Sequence, residues 1–405
     1  MTPRRDGAQA VTRPDGSGGG PGAGVARGPL AGVRVIELSG IGPGPFAASI
    51  LGDLGADVVR IDRPEGSATG VPEEADALRR SRRSIALDLR LSAGVEVLLT
   101  MVEAADVLIE GYRPGVAERL GFGPDVCGAR NARLVYGRMT GWGQNGPLAQ
   151  TAGHDINYVA LTGALHAMGR DGEGPAIPLN LVGDFGGGSL YLAVGILSAL
   201  LERERSGVGQ VVDAAIVDGV AHLTTLFHGL MAAELWQDRR GVNMLDSGVP
   251  WYDVYRTSDG RHIAVGAVEP AFYTELMRTL GLDPDPQRRI DPAQWPVIRT
   301  ELTDAFAGGS LEVWTDAFAG TDACVAPVLS FAEAIETPHL RERGVFVDVG
   351  GVAMPAPAPR FSRTPGAVQS PPAPFASHTR AVLAEYGVPD IAELIEAGIA
   401  LEGPR

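Results

Sequence analysis

The 405 residues, 45% apolar and 20% charged, supply material for two or three globular domains and exclude a chain disordered throughout. With 34 basic against 49 acidic side chains the net charge is −15, which argues against partners held by sequence-independent attraction to phosphate, so neither nucleic acid nor an anionic membrane is expected. No uninterrupted apolar run reaches the ~20 residues of a membrane span, and every basic residue is Arg, which removes lysine Schiff bases, the P-loop lysine and lysine-driven enolate chemistry together.

Residues 1–28 contain Gly16-Ser17-Gly18-Gly19-Gly20-Pro21-Gly22 and no apolar segment, which predicts a flexible extension without a secretory signal. From Leu30 the pattern becomes periodic. Residues 32–38 read as a strand, 45–54 as a helix with Pro in its first turn, and 56–62 as a second strand, forming a βαβ unit. Strand-like runs at 106–110 and 134–139 alternate with helical runs at 93–103 and 116–120. The alternation predicts an α/β fold whose large domain carries a Rossmann-like parallel sheet covered by helices on both faces.

Helices follow at 190–203 and 217–236, after which two alternating runs, 251–256 and 262–266, flank the turn Ser258-Asp259-Gly260-Arg261 and predict a hairpin in a smaller α+β domain. The stretch 350–374, dense in Pro and Gly, reads as a connection back to the first domain, with a last helix at 381–386. The expected organisation is an extension over 1–28, a large domain over 29–216 completed by 355–405, a helical linker over 217–248, a small domain over 249–330 and a return linker over 331–354. Cys127 and Cys324 lack CxxC spacing, so neither a disulfide framework nor a zinc cage is expected, and the chain reads as intracellular and cytoplasmic.

Several motifs carry chemistry, each with a plainer alternative. The turn Gly40-Ile41-Gly42-Pro43-Gly44-Pro45 has the wrong glycine spacing for a dinucleotide fingerprint. Arg60, Arg63, Arg79, Arg80, Arg82, Arg83 and Arg90 form a basic cluster suited to a compact polyanion, or equally a solvated face paired with Glu73, Glu74 and Asp76. His154 sits in the polar stretch Gly153-His154-Asp155-Ile156-Asn157-Tyr158, where a structural histidine is the plain alternative. Asp184 ends an apolar run before Phe185-Gly186-Gly187-Gly188. Such a turn sets backbone N–H groups beside a carboxylate and suits a developing oxyanion, whereas the plain alternative is a helix cap with close-packed glycines. Asp184-Phe185-Gly186 matches the kinase metal triplet in letters only, since the chain has no Lys, and no GxSxG elbow occurs. Glu269 before Pro270 is either functional or a charge favoured at a helix start.

Taken together, residues 38–62, Ile109-Glu110-Gly111-Tyr112-Arg113-Pro114-Gly115, Thr140-Gly141-Trp142-Gly143-Gln144, the His154 stretch and the Asp184 stretch resemble the α-methylacyl-CoA racemases of the family III CoA-transferase superfamily. The resemblance spans about 30–374. It implies a racemase that inverts C2 of 2-methylacyl-CoA thioesters through an enolate, with His154 and Asp184 as the proton carriers and Glu269 paired with the histidine. It further implies Arg63, Leu87, Leu89, Arg90, Tyr112, Arg113 and Arg138 along the CoA, with Arg90 standing where members carry Lys. Backbone at Gly183, Gly186 and Gly187 is expected at the enolate oxygen, and Ile41, Met139, Met231 and Met244 at the acyl chain. No metal and no cofactor beyond the CoA of the substrate are implied, and the assembly is an interlocked homodimer. Two rivals stay open: a transferase of the same superfamily, with Asp155 as nucleophile, and a silent acyl-CoA-binding protein.

Overall fold

The computed structural model describes residues 28–66 and 70–403, so nearly all of the expected extension lies outside the described residues. Six parallel strands build the main sheet: β1 (Arg34–Leu38), β2 (Asp57–Asp62), β3 (Arg83–Leu87), β4 (Val107–Glu110), β5 (Val135–Thr140) and β6 (Val211–Ala215), in the order β3-β2-β1-β4-β5-β6. Because successive side chains alternate between faces, Val35 of β1 enters a core with Leu51, Val107 and Ile196, while its neighbour Ile36 enters a second core with Ile85, Leu98 and Leu383. Both faces are covered, as runs of buried Val, Ile and Leu require of a parallel sheet.

The hairpin forms as expected from β7 (Tyr252–Arg256) and β8 (His262–Gly266), and β9 (Val325–Pro327) joins it as a third antiparallel strand. This sheet packs with helices around a separate aromatic-rich core of Trp251, Tyr255, Tyr273 and Phe306. A further hairpin, β10 (Phe346–Val349) with β11 (Val352–Pro355), occupies residues read as linker, and β12 (Ala400–Leu401) pairs antiparallel with β3 at the edge of the main sheet. The expected helix at 217–236 is two helices, Ile216–Leu223 and Thr225–Ala232.

Two expectations are corrected. Residues Leu181–Ser206 form a helix of 26 residues containing an 18-residue stretch of mean hydropathy 1.4, long and apolar enough by composition to cross a membrane. Leu, Val, Ile and Ala raise its mean hydropathy, while Asp184, Ser189 and the interspersed glycines keep it from being one apolar run. Here the segment packs on β5, β6 and the helix Pro43–Asp53. Four of the seven clustered arginines, Arg60, Arg79, Arg80 and Arg82, belong neither to an open polyanion site nor to a solvated face, because they are buried, whereas Arg63 and Arg90 line the cleft described below. Arg60 bridges Glu37 at 3.0 Å and Asp62 at 2.8 Å; Arg79 reaches Asp62 at 3.2 Å and Glu73 at 2.9 Å; Arg80 holds Asp53 at 2.6 Å; Arg82 pairs with Glu37. Glu37 and Asp62 lie on the neighbouring strands, Asp53 on the helix after β1 and Glu73 in the turn Glu73–Ala75, so the sheet brings most of the charges together.

Candidate active site

The chain order reverses between β1 and β4, the place where a parallel sheet leaves a crevice at its carboxyl edge. The loops after β1, β2, β3, β4 and β5 line a cleft of about 970 Å³ there, which includes Ile41, Gly42, Arg63, Leu87, Leu89, Arg90, Tyr112, Met139, His154, Tyr158 and Asp184. An imidazole, a carboxylate, a basic aromatic corner and an apolar surface therefore share one opening.

Asp184 lies in a π-helical turn, Leu181–Ser189, where the Phe185 N–H donates to the Asn180 carbonyl five residues back at 3.3 Å. Gly42, at φ +68°, caps the helix Pro43–Asp53 against it, and a methyl group on Gly42 would stand 2.9 Å from Asp184 Oδ2. Only glycine meets both demands. His154 caps the helix Asp155–Leu161, its N–H donating to Asn157 Oδ1 at 3.0 Å, and the imidazole is exposed to the cleft. Tyr158 donates from its hydroxyl to the Gly153 carbonyl at 2.5 Å and packs edge-on to Trp142, fixing the residue before the histidine.

Asp155, 8% exposed, sits behind this pair. Its Oδ1 accepts the Asp184 N–H at 2.6 Å, and the Gly183 N–H also donates to its carboxylate. Burial and the charge of Asp155 raise the Asp184 carboxyl above its ordinary range, against weaker lowering by an Asn180 hydrogen bond and by His154. Burial likewise raises Asp155, against the two backbone donors. Asp184 is thus a better proton acceptor than a solvated carboxylate.

The glycines expected at the enolate oxygen serve otherwise. The N–H of Gly183 points to Asp155, and a side chain at Gly183 would collide with that carboxylate. Gly187 lies against Ile216, Gly219 and Val220 of the next helix, and Gly186 against the Leu181 carbonyl. None of the three lines the cleft.

In the same cleft, the Arg63 guanidinium carbon lies 5.8 Å from the centre of the Tyr112 ring, and Arg90, largely exposed, pairs with Asp88 and Glu65 at 2.8 Å each. Arg113 lies outside, donating to the Gln150 carbonyl at 3.5 Å. Arg138 also lies outside, bound to Glu110 at 2.9 Å and Glu118 at 2.8 Å. Met231 lines a second cavity of about 950 Å³ beside β7 and β8, and Met244 lines neither. Glu269 caps the helix Pro270–Thr279 beside Arg289, away from the His154 cleft of its own chain. Buried Cys127, raised to about 12 by burial, donates to the Phe122 carbonyl at 3.1 Å and is inert as a nucleophile.

Sequence reasoning missed Asn180, whose Nδ2 lies 3.4 Å from Asp184 Oδ2, and Gly42. The four-residue spacing of Asn180 and Asp184 was a usable helical signal; the approach of Gly42 to Asp184, far apart in sequence, left none.

Residues 30–379 match CoA-transferase family III. The mouse and human proteins named alpha-methylacyl-CoA racemase are 46% and 44% identical to this chain, across 88% of it and 93% of each relative. The succinyl-CoA–L-malate CoA-transferase alpha subunit of Chloroflexus aurantiacus is 31% identical across 90% of both chains. Among solved structures, a CAIB/BAIF family protein from Brucella suis superposes with a TM-score of 0.76 at 26% identity, covering 89% of this chain and 100% of that one. By the matched span, the identity to these relatives and the architecture of its sheet, the chain belongs to CoA-transferase family III.

Proposed function

We propose that the protein is a racemase of 2-methylacyl-CoA thioesters, exchanging the C2 proton between His154 and Asp184 through a planar enolate. The observation that carries this is the opening of both side chains onto one cleft. Inversion needs an acid and a base that exchange roles as the opposite enantiomer reacts, and each supplies ~10²–10⁴-fold. Both protonation states of such a pair belong to the pair. The raised Asp184 carboxyl favours removal of the C2 proton from that side. The cleft's Arg63, Arg90, Leu87, Leu89 and Tyr112 hold the CoA of the substrate, Ile41 and Met139 meet the acyl group, and no further cofactor takes part.

The transferase alternative requires the Asp155 carboxylate at the thioester. That carboxylate is instead buried and accepts the Asp184 N–H, and the transferase relative is more distant than the racemases. Two copies interlock in the proposed assembly, so that Glu269 of a second copy reaches His154 and orients its imidazole. Exposed Leu190, Val194, Leu201, Leu223 and Leu226 on the helices beside the site supply the apolar surface.

In deuterated water the purified protein is expected to exchange the C2 proton of a 2-methylacyl-CoA without an acceptor acid, and His154→Ala and Asp184→Ala each abolish racemisation. Thioester exchange that depends on an acceptor acid, with C2 left protonated and Asp155→Ala inactive, is the result that installs the transferase in its place. Binding without either reaction points to the silent protein.

A further inference from the structure

We propose that Glu110 and Arg138 are positioning residues for the nucleotide end of the CoA thioester, acting through the loop 111–115 and not by contact with substrate. Glu110 ends β4 with its side chain 0% exposed. One carboxylate oxygen accepts the Tyr112 N–H at 2.6 Å and the other accepts Arg138 Nε–H at 2.9 Å. Arg138 faces Glu110 in the β4–β5 register and continues outward to Glu118, donating to its two oxygens at 2.8 and 3.3 Å. Glu118 belongs to the short helix Val116–Leu120 that the loop enters through Gly115, at φ +80°. One charged chain therefore pins the loop at both ends: at Tyr112 through Glu110, and at the following helix through Glu118.

The loop delivers Tyr112 into the cleft, beside Arg63 from the loop after β2. An aromatic face next to a guanidinium suits a base and a phosphate. Neither Arg63 nor Tyr112 is a proton carrier, and a base and a phosphate are what such a corner recognises, so the corner serves the nucleotide of the substrate. A buried carboxylate would repel phosphate on direct contact, and no oxygen of Glu110 is exposed to make one. Its charge is spent on Arg138 and its geometry on the backbone N–H of Tyr112, so loss of the tie frees the loop without touching the proton carriers.

The inference rests on the racemase reading. Its test compares Glu110→Gln and Glu118→Gln on a 2-methylacyl-CoA and on the same acyl group carried as a pantetheine thioester, which lacks the nucleotide. Losing a charged hydrogen bond at this tie is expected to raise the KM of Glu110→Gln for the CoA thioester by roughly tenfold to a hundredfold, with kcat within about twofold. On the pantetheine thioester the variant and the wild type behave alike. Glu118 is half exposed, and Glu118→Gln loosens Arg138 without opening the core, so it repeats the pattern at smaller size. A kcat that falls equally on both substrates, or an unchanged KM, overturns the inference. Should the wild type racemise neither thioester, the racemase reading fails instead; calorimetric titration with CoA then decides, supporting the positioning role if Glu110→Gln weakens Kd about tenfold and ending it if Kd is unchanged.

Discussion

At the scale of single residues, the site is built from carboxylates held where they cost stability. Asp184 is raised by burial and by the charge of Asp155. Between the ordinary carboxylate value, about 3.9, and the raised folded value, the folded chain keeps a proton that the unfolded chain has released, so stability falls as pH rises through that window. Asp184→Asn removes this charge. The variant is expected to melt above the wild type at pH 7 and to lose that advantage below pH ~3.9, while racemisation drops by ~10²–10⁴-fold. Thermal melts at both pH values check it, and a variant less stable at pH 7 would show the carboxylate to be net stabilising. Gly42→Ala works the other way. At φ +68°, with Asp184 Oδ2 2.9 Å from the added methyl, it is expected to cost about 1–3 kcal/mol and, by displacing the carboxylate, about a hundredfold in kcat/KM. The sequence singles out His154 by its polar stretch and Asp184 by the apolar run and glycines around it, and the structure opens both onto one cleft. The use of Gly183 for close approach was not legible, since its partner Asp155 meets it only in the fold.

At the scale of elements, the strands with local signals were readable and those without were not. β1 and β2 announce themselves by short apolar runs, and the β7–β8 hairpin by alternation and a Gly-containing turn, so pattern alone suffices. β3 begins at Arg83 after Arg79, Arg80 and Arg82, and a run of charges conceals a strand of the main sheet. What admits it is a set of acids distant in sequence: Glu37, Asp53 and Asp62 fold onto those arginines. Arg82 is the deepest of them. Besides Glu37 it donates to the Pro45 carbonyl at 2.8 Å, so it ties β1 to the first turn of the helix Pro43–Asp53 that faces Asp184. Arg82→Met leaves a buried carboxylate short of one partner. Urea unfolding is expected to show a loss of about 3–5 kcal/mol. By contrast, Arg130→Ala, which breaks exposed pairs with Glu96 and Glu103, is expected to leave the urea midpoint almost unchanged. Similar losses from the two would mean that burial does not decide the worth of these pairs.

At the scale of the whole molecule, the proposed mechanism needs something one chain does not bring together. Glu269 lies beside Arg289 in the domain of β7–β9, while His154 opens onto the cleft of the main sheet, whose lining does not include Glu269. If the pair forms between two copies, each site takes His154 from one and Glu269 from the other. A dimer of a His154→Ala chain with a Glu269→Ala chain then has one site bearing both defects and one site bearing neither. Each variant alone is expected to be inactive or nearly so. Refolding or co-expressing them in equal amounts is expected to restore about a quarter of wild-type racemisation, because about half of the dimers are mixed and each mixed dimer has one intact site. If Glu269 instead serves its own chain, every site in the mixture carries a defect and no activity returns. The mixing experiment therefore separates an interlocked arrangement from a side-by-side one by activity alone, and sedimentation of the mixture confirms that dimers are what is being counted.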